Sequence, residues 1–139
     1  MRIALTIALT LTMLPQAAFS ASKASQYLMR EQIAEACATK KGKFLPVGIE
    51  ERDLTGDGRR DLILDHGAIQ CSDGSRSLFC GAAMCSINFY VGDSKGLLRK
   101  KLEVLSIGAT VKGGEPPEIE LINHRGMTSR IRWNGTTFD

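Results

Sequence analysis

The sequence predicts an α+β fold in which an N-terminal helix packs on a five- or six-stranded antiparallel β-meander held by disulfide bridges. Three observations predict it. One amphipathic stretch lies near the start of the chain, short stretches of alternating polar and apolar residues follow it, and the chain contains four cysteines. Alternation with one polar face is typical of antiparallel sheets with one solvated face.

The first 20 residues have the organisation of a secretory signal peptide. Arg2 supplies a positive charge, an apolar run follows it, and small residues precede a cleavage site after Ser20. The alternative is a membrane anchor, but the apolar run of 12 residues is shorter than the ~20 residues a spanning helix needs. We therefore expect a mature chain, residues 21–139, that has no transmembrane segment and is periplasmic or secreted.

The charge of the mature chain is nearly balanced. Without the first 20 residues the chain has 17 basic and 15 acidic residues, a net charge of +2. This balance indicates neither a nucleic acid nor an anionic membrane as partner. The remaining length suits one domain with one modest core.

The helix is predicted over residues 22–40. Met29, Ile33, Ala36 and Cys37 share one face of it, and Gly42 follows as a stop signal. The rest of the chain predicts six strands separated by turn residues. They are 44–52, 62–70, 87–91, 98–107, 118–123 and 128–133, with a turn or exposed loop at 113–117.

All four cysteines, Cys37, Cys71, Cys80 and Cys85, lie in the predicted mature chain. An even number in an exported chain predicts two disulfides, for which three pairings exist. Cys80 and Cys85 enclose a short segment with Gly81 that suits a small looped bridge, so Cys37–Cys71 with Cys80–Cys85 is the favoured pairing. Residues 71–85 then form a Cys/Gly-rich insert between two strands.

The segment from Asp53 to Asp61 is the part of the chain whose spacing implies specific chemistry. Oxygen-bearing groups recur at alternate positions, and Gly58 permits a sharp turn. The donors would be the side chains of Asp53, Thr55, Asp57 and Asp61 and the main-chain carbonyl of Arg59. This arrangement predicts a structural Ca²⁺ site. The alternative is an Asp/Gly-rich turn whose side chains accept backbone hydrogen bonds and bind no ion.

Residues 53–62, which read DLTGDGRRDL, resemble the D-x-x-G-D-G-x-x-D loop of FG-GAP and VCBS repeats, the integrin-α-like calcium loops that join two strands. The resemblance implies a calcium loop, but those repeats form β-propellers, and one loop in a chain of this length cannot supply the four or more blades of a propeller. Position 12 of a helix-loop-helix calcium site is a Glu, whereas here it is Leu64. The wider pattern resembles small exported bacterial proteins of unassigned function.

The predicted function is that of a non-enzymatic exported protein that binds an unknown protein or cell-surface partner. One alternative is a periplasmic inhibitor or immunity protein that acts through the loop from Cys71 to Cys85. A second is a small hydrolase that uses His66 with Asp65 or Asp61. His66 is expected to be a partly exposed strand histidine.

Overall fold

The computed structural model describes residues 21–139, so the predicted signal peptide at 1–20 lies outside the described residues. Helix α1 spans Lys23–Ala36, and the Ser22 hydroxyl caps it by accepting the Ser25 N–H at 3.2 Å. The helix ends earlier than predicted because Cys37 has extended backbone and is bonded to Cys71. In the described part of the chain, no helix is long and apolar enough to cross a membrane.

Nine strands in three antiparallel sheets follow the helix in the described residues. The strands are β1 (Gly42–Phe44), β2 (Ile49–Arg52), β3 (Asp61–Asp65), β4 (Ile69–Cys71), β5 (Cys85–Gly92), β6 (Leu98–Ser106), β7 (Gly108–Gly114), β8 (Pro117–Ile122) and β9 (Thr128–Ile131). The sheets have the orders β1-β4, β2-β3-β5-β6 and β7-β8-β9. The β-rich α+β class is confirmed, whereas the five- or six-stranded single meander is wrong.

Two of the predicted strands are each split by a 3-10 turn. Residues 44–52 break at Pro46–Gly48, because proline lacks the N–H that a ladder needs. Residues 62–70 break at His66–Ala68, where the Asp65 carboxylate accepts the Gly67 N–H at 2.8 Å. The halves of each stretch therefore join different sheets. Sequence analysis also missed β7, whose glycines and mostly exposed residues give a weak strand pattern.

The four-stranded sheet is the middle of three layers. Ile63, Phe89 and other residues of its first face form the main core with Ile119 and Leu121 of the three-stranded sheet. Leu62, Leu64 and Tyr90 on its second face pack against α1. The prediction of one solvated sheet face is therefore wrong for this sheet, because the helix and the second sheet cover both faces of its central strands.

The outer face of the three-stranded sheet is solvated, as its alternation predicts. The Arg130 guanidinium lies 3.5 Å from the Glu118 carboxylate and 3.8 Å from that of Glu120. Ile119 and Leu121 on the opposite face are buried. The predicted turn at 113–117 is present, but it is shorter because β7 continues to Gly114 and β8 begins at Pro117.

Candidate functional site

The loop from Asp53 to Asp61 joins β2 to β3 in a hairpin, as the sequence predicts. Leu54 holds the loop to the protein, since its side chain is fully buried in the core between the two large sheets. Gly56 and Gly58 both have φ of +81°, a conformation that favours glycine. The loop is therefore a tightly specified structure and not a flexible connection.

Asp53 closes the loop by accepting main-chain hydrogen bonds. Its Oδ1 accepts the N–H groups of Thr55 at 3.0 Å and Gly56 at 2.7 Å, and its Oδ2 accepts the N–H of Gly58 at 2.7 Å. Desolvation opposes ionisation, but the amide hydrogen bonds outweigh it and lower the pKa of this carboxyl. The carboxylate is thus fixed at the centre of the turn.

Asp57 and Arg59 pair with each other on the exposed side of the loop. The Asp57 carboxylate accepts the Arg59 main-chain N–H at 2.8 Å and contacts the Arg59 guanidinium. The same guanidinium donates through Nε to the carbonyl of Gly92 at 3.1 Å. The Arg59 side chain therefore connects the loop to the end of β5. The sequence predicted a role only for its main-chain carbonyl, as a calcium ligand.

Asp61 connects the loop to β5 from the inside. Its side chain is fully buried, its Oδ2 accepts the Leu54 N–H at 2.7 Å, and its Oδ1 accepts the Gly92 N–H at 2.9 Å. Burial raises the pKa of this carboxyl, although the two amide hydrogen bonds favour its charged form. Both carboxylate oxygens are thus committed to backbone groups.

Gly92 is the residue of this site that sequence analysis missed as a participant. Its N–H and carbonyl bind Asp61 and Arg59, and a Cβ at this position would collide with the Arg60 carbonyl. In the sequence, Gly92 indicated only the end of a strand. The contact depends on pairing between β3 and β5, which no local pattern contains.

The side chains of Asp53, Asp57 and Asp61 all accept main-chain hydrogen bonds in this structure. No group of three or more His, Cys, Asp or Glu side chains in residues 21–139 is arranged to hold a metal ion. Amide-accepting turns of the same kind occur at Asp93, Asn123 and Asn134, where no metal motif is present. The geometry therefore matches the hydrogen-bonded turn that the sequence left as the alternative.

The two disulfides have the favoured pairing. Cys37–Cys71 joins the end of α1 to β4, with Cα atoms 5.5 Å apart, and Cys80–Cys85 closes a short loop before β5. No cysteine of the described residues is free. The first bridge lies in a small separate core, with Ala36 and Ile69 packed around it.

The insert at 71–85 is attached to the body of the protein at several points. The Leu78 N–H donates to the Ala36 carbonyl at 2.8 Å, and the Ser86 N–H donates to the Phe79 carbonyl at 2.9 Å. The Leu78 side chain itself is 72% exposed. The insert therefore presents one large exposed apolar side chain close to its backbone attachments.

His66 is not the partly exposed strand histidine that the sequence predicts. It lies in the 3-10 turn after β3 and is fully buried, with the tilted ring of Phe79 packed at a centroid distance of 4.5 Å. Its Nδ1 lies 2.7 Å from the Ser86 carbonyl and its Nε2 lies 2.7 Å from the Gln32 side chain. Burial lowers its pKa, while Ser86 opposes that shift.

The buried histidine belongs to a polar network between the helix and the sheet. Gln32 of α1 links His66 to Asn88, and Asn88 contacts the Tyr90 hydroxyl at 3.2 Å. The sequence did not predict this network, because its residues are far apart in the chain and meet only in the folded structure. The network stabilises the attachment of α1 to β5, and its His66, Asn88 and Tyr90 side chains are buried.

Comparison of the chain with protein-family models, with curated proteins and with solved structures found no match.

Proposed function

We propose that this chain is an exported, non-enzymatic protein that acts by binding another macromolecule in the periplasm or outside the cell. The observation that carries this proposal is the pair of disulfides, which use every cysteine of the described residues. Disulfides persist in oxidising compartments and are rare in the cytosol. The bridge from α1 to β4 holds a part of the fold whose core is small, as expected of exported domains of this size.

The geometry around His66 supports a binding function over the hydrolase alternative. A general base must approach the proton that it removes from the substrate. The His66 ring is fully buried and both of its nitrogens are engaged, while Asp65 accepts the Gly67 N–H. Asp61 is committed to two backbone amides. The residues named for hydrolysis therefore stabilise the fold.

An inhibitor or immunity protein remains the second candidate function, and the insert at 71–85 favours it. Leu78 is an exposed apolar side chain on a backbone fixed by the Cys80–Cys85 bridge and by the hydrogen bond to Ala36. A fixed loop loses little conformational entropy on binding, which favours affinity. Leu78 would then be the side chain that enters a pocket of the partner.

Within this proposal, calcium binding at the Asp53–Asp61 loop stays a prediction, and the role of the ion would be structural. Each carboxylate oxygen has a second lone pair, so a weak site at the exposed side of the loop is compatible with the amide hydrogen bonds. Exported modules use sites with Kd of about 10⁻⁴ to 10⁻³ M. The ion would then strengthen a loop that already holds its shape.

Photo-cross-linking in intact bacteria tests the proposal. The chain with its first 20 residues is expressed with a photoreactive amino acid at position 78 in the insert, at 136 near the C-terminal turn, or at 127 as a matched exposed control. We expect a discrete adduct in the exported fraction at 78 or 136 and none at 127. An adduct at 78 supports the inhibitor; equal labelling at all three positions, or no adduct, contradicts the proposal.

A further inference from the structure

A cleft of about 450 Å³ lies between the Asp53–Asp61 loop, the turn from β5 to β6 and the turn after β9. Pockets of about 300–1,000 Å³ hold small ligands, and this one is open enough for part of a longer chain to enter. Arg59 lies in the loop, Arg99 lies in β6 just after the turn, and Trp133 follows β9. None of them belongs to the predicted disulfide loop or to the buried histidine network.

The cleft carries an excess of positive charge. Arg59 contacts Asp57, and Arg99 lies 3.5 Å from Asp93, so each of these carboxylates is matched by one guanidinium. Lys101 also lines the cleft, and it makes no ion pair within residues 21–139. A carboxylate on a ligand would therefore find one unmatched ammonium group and two guanidinium groups with N–H donors to spare.

Arg59 is held in place before any ligand arrives. Its Nε–H donates to the Gly92 carbonyl at 3.1 Å, while its Nη2 contacts Asp57. A fixed guanidinium presents its remaining donors in one plane, which is the geometry that a carboxylate matches. Little side-chain entropy is then lost on binding.

Trp133, the one tryptophan of the chain, supplies an apolar surface in the cleft. Its ring packs on Phe138 with centroids 5.1 Å apart, and it is only partly buried. The indole therefore has a fixed position and keeps surface available to a ligand. Such an amphipathic aromatic surface suits the C–H face of a sugar ring, whose hydroxyl groups point outward.

Two backbone carbonyls at the cleft are already occupied by side chains of the protein. The Gly92 carbonyl accepts the Arg59 side chain, and the Lys101 carbonyl accepts the Thr137 hydroxyl at 3.1 Å. Recognition of a ligand through side chains leaves these two hydrogen bonds intact. The carboxylates that accept hydrogen bonds and the hydroxyls of Thr55 and Thr136 suit a ligand with many hydroxyl groups.

We infer that this cleft binds an acidic saccharide, with a sugar ring against Trp133 and its carboxylate among Lys101, Arg59 and Arg99. The inference rests on the proposed binding function and gives it a ligand class. Neutral sugars lack the group that the unmatched ammonium would bind. Small inorganic anions lack the ring.

The fluorescence of Trp133 reports binding directly, because no other tryptophan contributes. The purified mature chain is titrated in calcium-free buffer with a galacturonic acid trimer and with N-acetylmuramic acid. The matched neutral ligands are a galactose trimer and N-acetylglucosamine, and sodium sulfate represents a plain anion. We expect saturable binding of an acidic saccharide, at least about tenfold tighter than its neutral counterpart, and no saturation with sulfate.

The variant Lys101→Gln should weaken binding of the acidic saccharide by at least about fivefold, and Lys101→Arg should restore it, because the charge carries the effect. Lys41→Gln, an exposed lysine outside the cleft, is the matched control and should bind as the wild type does. Equal weakening by both glutamine variants overturns the inference. It is also overturned if neither acidic saccharide binds, or if the neutral sugars or sulfate bind equally well.

Different results would contradict the inference about the cleft and the proposed function. Cross-linking at position 78 in the exported fraction, without saccharide binding by the purified chain, overturns the cleft assignment alone. Saccharide binding by a chain that stays in the cytoplasm overturns the proposed export alone, because the titration does not depend on the compartment.

Discussion

Asp61 acts at the residue scale as a buried connection between the loop and β5. Its two oxygens accept the N–H groups of Leu54 and Gly92, and its side chain is fully buried. An asparagine would turn one acceptor into a donor that faces an N–H. Buried donors without partners are costly, so the identity of this residue is determined by backbone hydrogen bonds whether or not calcium binds.

We predict that Asp61→Asn lowers the free energy of unfolding by about 1–3 kcal/mol in the presence of a chelator. The matched variant is Asp57→Asn, which changes an exposed member of the same loop and should cost less than about 0.5 kcal/mol. Urea unfolding followed by circular dichroism measures both. Equal losses in the two variants would contradict the role assigned to Asp61.

Calcium binding is predicted to raise the stability of the wild type but not that of Asp57→Asn. At about 10 mM Ca²⁺ and a Kd of about 10⁻³ M, mass action stabilises the wild type by about 1.4 kcal/mol. Asp57→Asn should lose this gain while keeping its stability in chelator, because Asp57 is exposed and free of core contacts. A melting temperature of the wild type that calcium leaves unchanged would show that the loop is a turn without an ion.

His66 makes stability depend on pH. Burial holds the pKa of His66 below its ordinary value of 6.5, although the Ser86 carbonyl opposes the shift. The folded chain therefore binds a proton less readily than the unfolded chain. The stability that His66 contributes is present above pH 6.5 and is lost as the pH falls below it, by up to about 1.4 kcal/mol per pH unit.

Urea unfolding between pH 7 and pH 5 tests this effect, and His66→Gln should flatten the slope. Asp61 and Asp65 act with the opposite sign, because burial raises the pKa of both carboxyls and their contribution is lost as the pH rises through the acidic range. Comparison of the wild type with His66→Gln over the same pH range isolates the histidine effect, because both proteins contain these two carboxyls. A wild type and a variant with the same slope would contradict the role given to His66.

At the scale of elements, the two disulfides are expected to contribute unequally. Cys37–Cys71 spans 34 residues and Cys80–Cys85 spans 5. Loop-closure entropy then predicts a loss of about 4 kcal/mol when the first bridge is removed and about 2 kcal/mol for the second. Chemical unfolding of the Cys37→Ala/Cys71→Ala and Cys80→Ala/Cys85→Ala variants measures this, and a larger loss in the second variant would contradict it.

The elements that the sequence predicts well are those whose signals are local. The apolar face of α1, the hairpin at Asp53–Asp61 and the turn at 113–117 follow from spacing and turn residues. The strand β7 was missed because its glycines and exposed residues give a weak strand pattern, and the small sheet of β1 and β4 was missed because it pairs segments from distant parts of the chain. The same reason explains why Gly92 was not recognised as part of the loop site.

At the scale of the whole molecule, three layers meet at the four-stranded sheet. The helix covers one face and the three-stranded sheet covers the other, so the middle strands have apolar side chains on both sides. The alternation of polar and apolar residues in β8 correctly predicted a solvated face for the three-stranded sheet, whereas the four-stranded sheet is covered on both sides. The candidate cleft lies where a loop, a turn and the C-terminal segment converge, which is why no local motif indicated it.

Export of a disulfide-bonded domain is tested most directly by a peptide map of the chain recovered from the periplasm or the medium, digested without reduction. We predict an N-terminus at Ala21 and two linked peptides, one joining Cys37 to Cys71 and one joining Cys80 to Cys85, with no free thiol. A chain that keeps Met1, stays in the cytoplasm and carries free thiols would contradict it.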